Sequence, residues 1–213
     1  LTLASVSVLV LLVLGTPLAW WLARTRSRAR IVIESLVAMP LVLPPTVLGF
    51  YLLFLLGPNG PIGGTWELWG GPRLVFSFAG LVIGSVLYSL PFVVQPIQNA
   101  FMAIGDRPLE VAATLGASHW NRFWTVAVPM ARRGFITAAA LGFAHTVGEF
   151  GVVLMIGGNI PDRTRVISIA IYDSVEAINY PQAHILSAMM IAFSFFVFLL
   201  VYAMNRRADV MSR

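Results

Sequence analysis

His145 and Glu149 stand four residues apart in an otherwise apolar run of the chain. On a helix that spacing puts both side chains on one face, where they can pair, and ionisable groups inside lipid are functional candidates. Such a pair could act as acid and base in an intramembrane enzyme, or brace and gate a passage. The bracing or gate role is expected over direct contact with a transported solute. Ser85, Ser89, Thr137 and Thr146 lie in neighbouring apolar runs and offer neutral hydroxyl donors for a polar path, a service these residue types combine with ordinary packing. No HExxH, no Gly-x-Ser-x-Gly and no intramembrane aspartate pair accompanies them, which argues against the enzyme. All 14 basic residues are arginine, so the phosphate-binding lysine of a Walker A loop is missing. The chain has no cysteine, which excludes disulfides and thiolate sites, and no metal site is expected.

The elements that must hold these groups are dictated by an unusual composition. Of 213 residues, 58% are hydrophobic and 11% charged, and the mean hydropathy is +0.84, the profile of an integral membrane protein. Five segments are long and apolar enough to cross a bilayer: 2–22, 31–56, 74–100, 134–156 and 183–204. The first lacks a basic n-region and an Ala-x-Ala cleavage site, and so reads as a spanning helix rather than a signal peptide. Eleven arginines (Arg24, Arg26, Arg28, Arg30, Arg107, Arg122, Arg132, Arg133, Arg206, Arg207, Arg213) fall on one side of these spans, and Arg73, Arg163 and Arg165 on the other. The positive-inside rule makes the first side cytoplasmic, with the N-terminus outside and the C-terminus inside. The +5 net charge therefore reports a membrane face, and no nucleic-acid partner is expected. Trp20 and Trp21, and Trp66 and Trp69, are placed for interfacial belts. Pro17, Pro40, Pro44, Pro45, Pro91 and Pro96 punctuate the spans, as in bundles that move or conduct. Gly80, Gly84 and Ser85, and Ala138, Gly142, Ala144 and Gly148, make slim helix faces for close packing.

The longest inner segment, 101–133, reads as two short helices. Asp106 caps the first, Pro108 suits its opening turn and Gly116 stops it. Ser118 caps the second, which ends at Pro129 and carries Trp120, Phe123, Trp124 and Ala127 along one face. On the outer side, 159–180 reads as a turn holding Arg163 and Arg165, then a partly inserted helix with Val166, Ile169, Ile171, Val175 and Ile178 toward one side.

"EVAATLGASHWNRFWTVAVP" (110–129) resembles the EAA loop of ABC-importer permeases: Glu-Ala-Ala, three residues, Gly, nine residues, Ile-x-Leu-Pro. Glu110, Ala112, Gly116, Val126, Val128 and Pro129 stand at those places, with Val111 where the family has alanine and valine replacing both isoleucine and leucine. "PLVLPPTVLGFYLL" (40–53) and "GEFGVVLMIGGNIPDRTRVISIAIY" (148–172) resemble the molybdate permease subunits, with sulfate/thiosulfate permeases as nearest relatives, and the likeness covers nearly the whole chain. It implies an all-α integral membrane protein, one type I importer transmembrane domain over 1–213, in the cytoplasmic membrane of a bacterium or archaeon. By the same likeness, Glu110, Ala112, Ala113, Gly116, Ala117 and Pro129 couple it to a cytoplasmic ATPase. The implied partners are a second copy, two ATPase subunits that bind ATP and Mg, membrane lipid and a periplasmic molybdate-binding protein. Molybdate, or tungstate, would cross by alternating access; Glu149, His145, Thr146, Ser85 and Ser89 are the gate or pathway candidates. Arg163 and Arg165 would receive the binding protein, or else contact lipid phosphate. A passive anion channel would share the spans but have no use for the coupling loop.

Overall fold

The structure, a computed structural model, describes residues 1–210, and the side chains of Tyr202 and of 204–210 fall outside that description. Arg206, Arg207 and Arg213, counted above on the inner side, therefore add nothing further. Only helices and turns occur among the described residues. Three helices are long and apolar enough to span a membrane unaided: α1 (Thr2–Arg24), α5 (Phe78–Ile104) and α12 (Tyr180–Val210, whose qualifying part is Tyr180–Val201).

The second and fourth expected spans are each broken rather than continuous. α2 (Ala29–Ala38) passes through a 3₁₀ turn, Met39–Leu41, to α3 (Pro45–Leu56) with a bend of 110°. Pro40, Pro44 and Pro45 remove backbone donors, and Pro45 pushes Pro44 into an extended conformation (φ −55°, ψ 134°) that no helix can carry. The fourth breaks after α9 (Arg132–Gly148), where Glu149 is extended (ψ 133°), and resumes as α10 (Gly151–Gly157) bent by 61°. By contrast Pro17, Pro91 and Pro96 stay inside unbroken helices. α4 (Gly63–Leu68) lies in the loop between α3 and α5.

α1, α5 and α9 form the centre of the bundle, burying Leu11, Ala19, Leu22, Val93, Val94, Ile97, Phe101 and Ala138. Of the slim residues, Gly142 admits Val93, and Gly84 admits Ile156 and Val152 of α10, whereas Gly148 faces open space. The two breaks meet. A Cβ on Gly151 would lie 2.7 Å from the Pro45 side chain, and one on Gly49 would lie 2.8 Å from Met155 and 3.3 Å from the Val152 backbone. Only glycine permits the start of α3 to rest on α10 at this distance. Among its described side chains α12 buries almost nothing, and it touches the bundle through α9, where Phe143 meets Phe193 at 6.1 Å, and through α11 (Ile167–Glu176).

Between α5 and α9 comes the expected pair of short helices. α6 (Arg107–Thr114) is followed by α7 (His119–Arg122), which runs on through a π-helical turn (Phe123–Ala127) and α8 (Val128–Met130) almost directly into α9. The second helix therefore does not end at Pro129.

Candidate functional site

The α6–α7 hairpin owes its shape to a few residues. Gly116 takes φ +82° and has nothing within 4 Å of a would-be Cβ, so glycine is required there for backbone conformation alone. Ser118 caps α7 by accepting from Asn121 N–H at 3.2 Å. Asp106 holds the expected N-cap position but makes no cap bond. Its carboxylate is drawn instead to Arg24 at the end of α1. Arg24 also donates to the carbonyl of Gly105 at 3.0 Å and, at 3.4 Å, to that of Phe101, and its guanidinium lies 4.9 Å from the Trp20 ring. One arginine thus fastens the first helix to the entrance of the hairpin.

The hairpin's other anchor is aromatic. Phe101 and Phe123 are buried, Trp20 meets them edge-on at 4.9 and 5.1 Å, and Phe135 of α9 meets Phe101 at 5.8 Å. Trp20, half-buried, thus packs one side of its ring on Phe101 and Phe123 while Arg24 lies over it. Only Phe123 and Ala127 of the expected aromatic face are buried; Trp120 (71% exposed) and Trp124 (52%) are exposed, as are Val111 and Leu115 (83%) of the first helix and its end. α6 buries no residue at all, and Glu110, Ala113 and Gly116 are exposed with Ala112 and Ala117 half-buried. The result is an exposed, partly apolar knob on a rigid mount, a surface suited to a protein partner. Pro129 is exposed at the exit toward α9.

Deeper in the bundle, the expected His145–Glu149 pair is absent. The break after Gly148 takes Glu149 off the α9 face, where its backbone carbonyl accepts from Ser168 of α11. His145 Nδ1 meets the Ser89 hydroxyl at 2.9 Å, and its ring stacks on Phe92 at 3.9 Å. Ser89 also bonds Thr146 at 3.0 Å, and Thr146 donates to Gly142 O at 2.9 Å. Ser89, Thr146 and His145 are thus one network, while Thr137 stands apart and half-buried. Ser85 is buried, and neither its hydroxyl nor the Glu149 carboxyl has a hydrogen-bond partner.

The sequence reading passed over two clusters. Glu34 of α2 accepts from Arg30 at 2.9 Å and from the buried Gln98 of α5 at 2.5 Å, tying the two helices together. On the other side of the bundle, Arg165 donates to Asn159 at 2.9 Å and pairs with Asp173 at 3.3 Å, while Asn159 donates to Asp173 at 2.8 Å. Arg165 is thus held by Asn159 and Asp173, and both Arg163 and Arg165 are exposed. Ile169 is the buried residue of the expected α11 stripe, with Val166 packed beside it; Val175 and Ile178 are exposed.

Apolar helices, two of them broken where they meet, and a rigidly mounted hairpin at one end define a membrane protein of the transport class. A family model described as "Binding-protein-dependent transport system inner membrane component" matches residues 15–210. The chain belongs to this family. It is 64% identical over 206 residues to the "Molybdenum transport system permease protein ModB" of Azotobacter vinelandii, covering 97% of this chain and 91% of that protein. Identity to the protein of the same name in Escherichia coli K12 is 35%, covering 83% of this chain and 77% of that protein. For the E. coli K12 "Sulfate transport system permease protein CysT" the figures are 32%, 91% and 68%. A chain of a bacterial alginate ABC transporter, solved with an alginate pentasaccharide-bound periplasmic protein, shares the fold at TM-score 0.78 and 18% identity, covering 97% of this chain and 76% of that one. A chain of the inward-facing MetNI methionine ABC transporter does so at TM-score 0.73 and 17% identity, covering 97% and 91%.

Proposed function

We propose that the chain is the membrane-spanning subunit of an ATP-driven importer of molybdate. The observation carrying this reading is the near full-length 64% identity to a molybdenum permease, and the exposed hairpin supplies its mechanics. In this reading the chain crosses the inner membrane five times, each broken pair counting as one crossing, with the N-terminus outside. Two copies form the passage, and a periplasmic binding protein delivers the oxyanion, received by the exposed Arg163 and Arg165. The chain performs no chemistry of its own; two partner ATPase subunits bind ATP with Mg and hydrolyse it.

Force enters through Glu110, Ala112, Ala113, Gly116 and Ala117, which the partner grips, with Pro129 at the exit of the hairpin. Because Arg24 and the Phe101–Phe123 cluster hold the hairpin firmly, its displacement tilts α1, α5 and α9 together rather than bending a loop. Where the tilt reaches the meeting of the two breaks, α3 and α10 are free to pivot, since their halves are already uncoupled from α2 and α9. Glu149, His145, Thr146, Ser85 and Ser89 line or gate the passage.

The test is uptake of radiolabelled molybdate by vesicles holding this chain, its ATPase and its binding protein, with unlabelled tungstate or sulfate as competitor. Molybdate uptake that requires ATP, is inhibited by tungstate and resists a hundredfold excess of sulfate is expected. Preferential uptake of sulfate would move the chain to the sulfate permeases, the second reading that the resemblance to CysT supports.

A further inference from the structure

A groove of about 550 Å³ opens between the start of α1, the turn that leads into α11, and α12. Its walls are mostly apolar, with Leu3 from α1, Leu81 from α5, Ile167 from α11, and Met189, Met190 and Phe193 from α12. Arg163 and Arg165 line it too, and both are exposed, so they stand at its mouth. Among the described residues no acid lines the groove. An apolar slot between membrane helices, with two cations at its mouth, suits an amphiphile that has an anionic head.

The polar groups of the wall differ in what they have left to give. Thr146 and Thr164 are buried, and their hydroxyls are already bonded, Thr146 to Ser89 and the Gly142 carbonyl, Thr164 to the Gly157 carbonyl and the Ile160 N–H. Arg165 is held by Asn159 through Nε and by Asp173 through one Nη, which leaves its other NH2 group, already fixed in place, to donate. Arg163 makes no ion pair or side-chain hydrogen bond among the described residues. α11 begins at the same place, since Val166 and Ile167 line the groove and no side chain caps the helix. Its first N–H groups add to the positive potential that the arginines set up. The groove also separates α12 from the start of α1. Of the described α12 side chains only Ala183 is buried, and a chain of methylenes in the groove would give Met189, Met190 and Phe193 apolar neighbours on the side toward α1.

We propose that this groove holds an anionic phospholipid, with an acyl chain between α1 and α12 and the phosphate on Arg163 and Arg165. In the orientation given above it is a lipid of the outer leaflet. The lipid fastens α12 to the rest of the bundle, a service the protein's own packing supplies only through α9 and α11. The proposal goes beyond the importer reading and does not depend on which oxyanion is carried. Arg163 and Arg165 are also the residues offered to the binding protein, so the lipid is measured without it.

The experiment takes the protein in the assembly in which it is extracted from membranes, strips it of lipid, and titrates it with phosphatidylglycerol or phosphatidylcholine while native mass spectrometry counts bound lipids. Arg163 should contribute about fivefold and the already paired Arg165 less, so the wild type should prefer phosphatidylglycerol by roughly tenfold. Arg163→Gln, which breaks no contact inside the protein, should reduce that preference by about fivefold, and Arg163→Lys should keep most of it. Excess inorganic phosphate should not displace the lipid, because it has no chain to bury. A phosphatidylglycerol with a photoreactive group on its acyl chain should label Met189, Met190 or Phe193 in preference to Ile191 and Phe195, exposed α12 residues outside the groove. Equal binding of the two lipids, or a preference that survives Arg163→Gln, overturns the proposal. Displacement by inorganic phosphate also overturns it and leaves a site for a free anion, while labelling spread evenly along α12 reduces the groove to ordinary contact with the bilayer.

Discussion

Replacing Arg24 with alanine should loosen the hairpin while leaving the centre of the bundle intact. The bond to the Gly105 carbonyl at 3.0 Å is charge-assisted, a class that contributes about 1.5–3 kcal/mol. The ion pair to Asp106, whose side chain is exposed, adds ~0–1 kcal/mol. The cation–π contact with Trp20 adds ~0.5–1 kcal/mol. Water can replace Arg24 at Gly105 and Asp106, because both are exposed, so the low end of the sum, about 2 kcal/mol, is the better figure. That corresponds to roughly a thirtyfold change in the balance between fastened and loose hairpin. Hydrogen exchange of the amides from 105 to 115 reports that balance directly. Arg24→Ala should speed exchange there by about thirtyfold and leave the buried stretch of α5 around Val93–Ile97 within about twofold. Arg24→Lys, which keeps the charge but loses the planar fork, should fall between the two. Exchange in 105–115 within about twofold of wild type would refute the idea that Arg24 mounts the hairpin.

Three other outcomes follow from the packing. Phe101→Ala empties the centre of the aromatic cluster and should cost about 3–5 kcal/mol, visible as a lower melting temperature in detergent. Gly116→Ala meets no steric obstacle but must hold φ +82°, so it should destabilise the hairpin by about 1–2 kcal/mol, and Gly116→Asn by less, both measured by exchange in α6. Gly49→Val drives a branched side chain into Met155 and the Val152 backbone and should separate α3 from α10, lowering the melting temperature and uptake together.

Much of this architecture was legible because its signals are local. Apolar run length marked the spans, Gly116 and Ser118 marked the hairpin turn, and the arginine asymmetry gave an expected orientation. The breaks were only half legible. Six prolines look alike in sequence, but Pro91 and Pro96 lie in α5, whose neighbours pack around it, whereas Pro44 followed by Pro45 excludes helix geometry at two successive residues. The Glu149 break carries a weaker sign, a glycine on either side of Glu149 and Phe150, and the four-residue spacing to His145 suggested a pair that a continuous helix would have made. Arg24 and Asp106 are 82 residues apart, and Glu34 and Gln98 are 64 apart. No periodicity connects such residues; they meet only because α1 and α2 both pack on α5.

The central claim is that the hairpin lies on the cytoplasmic side and is the seat of an ATPase. The chain has no cysteine, so a single one placed at Leu115, which is 83% exposed, reports accessibility without interference. A membrane-impermeant maleimide should label it in inside-out vesicles stripped of the ATPase, fail to label it in right-side-out vesicles, and be blocked about tenfold or more when the ATPase is added back. Labelling from the outside, or equal labelling with and without the ATPase, would contradict the account.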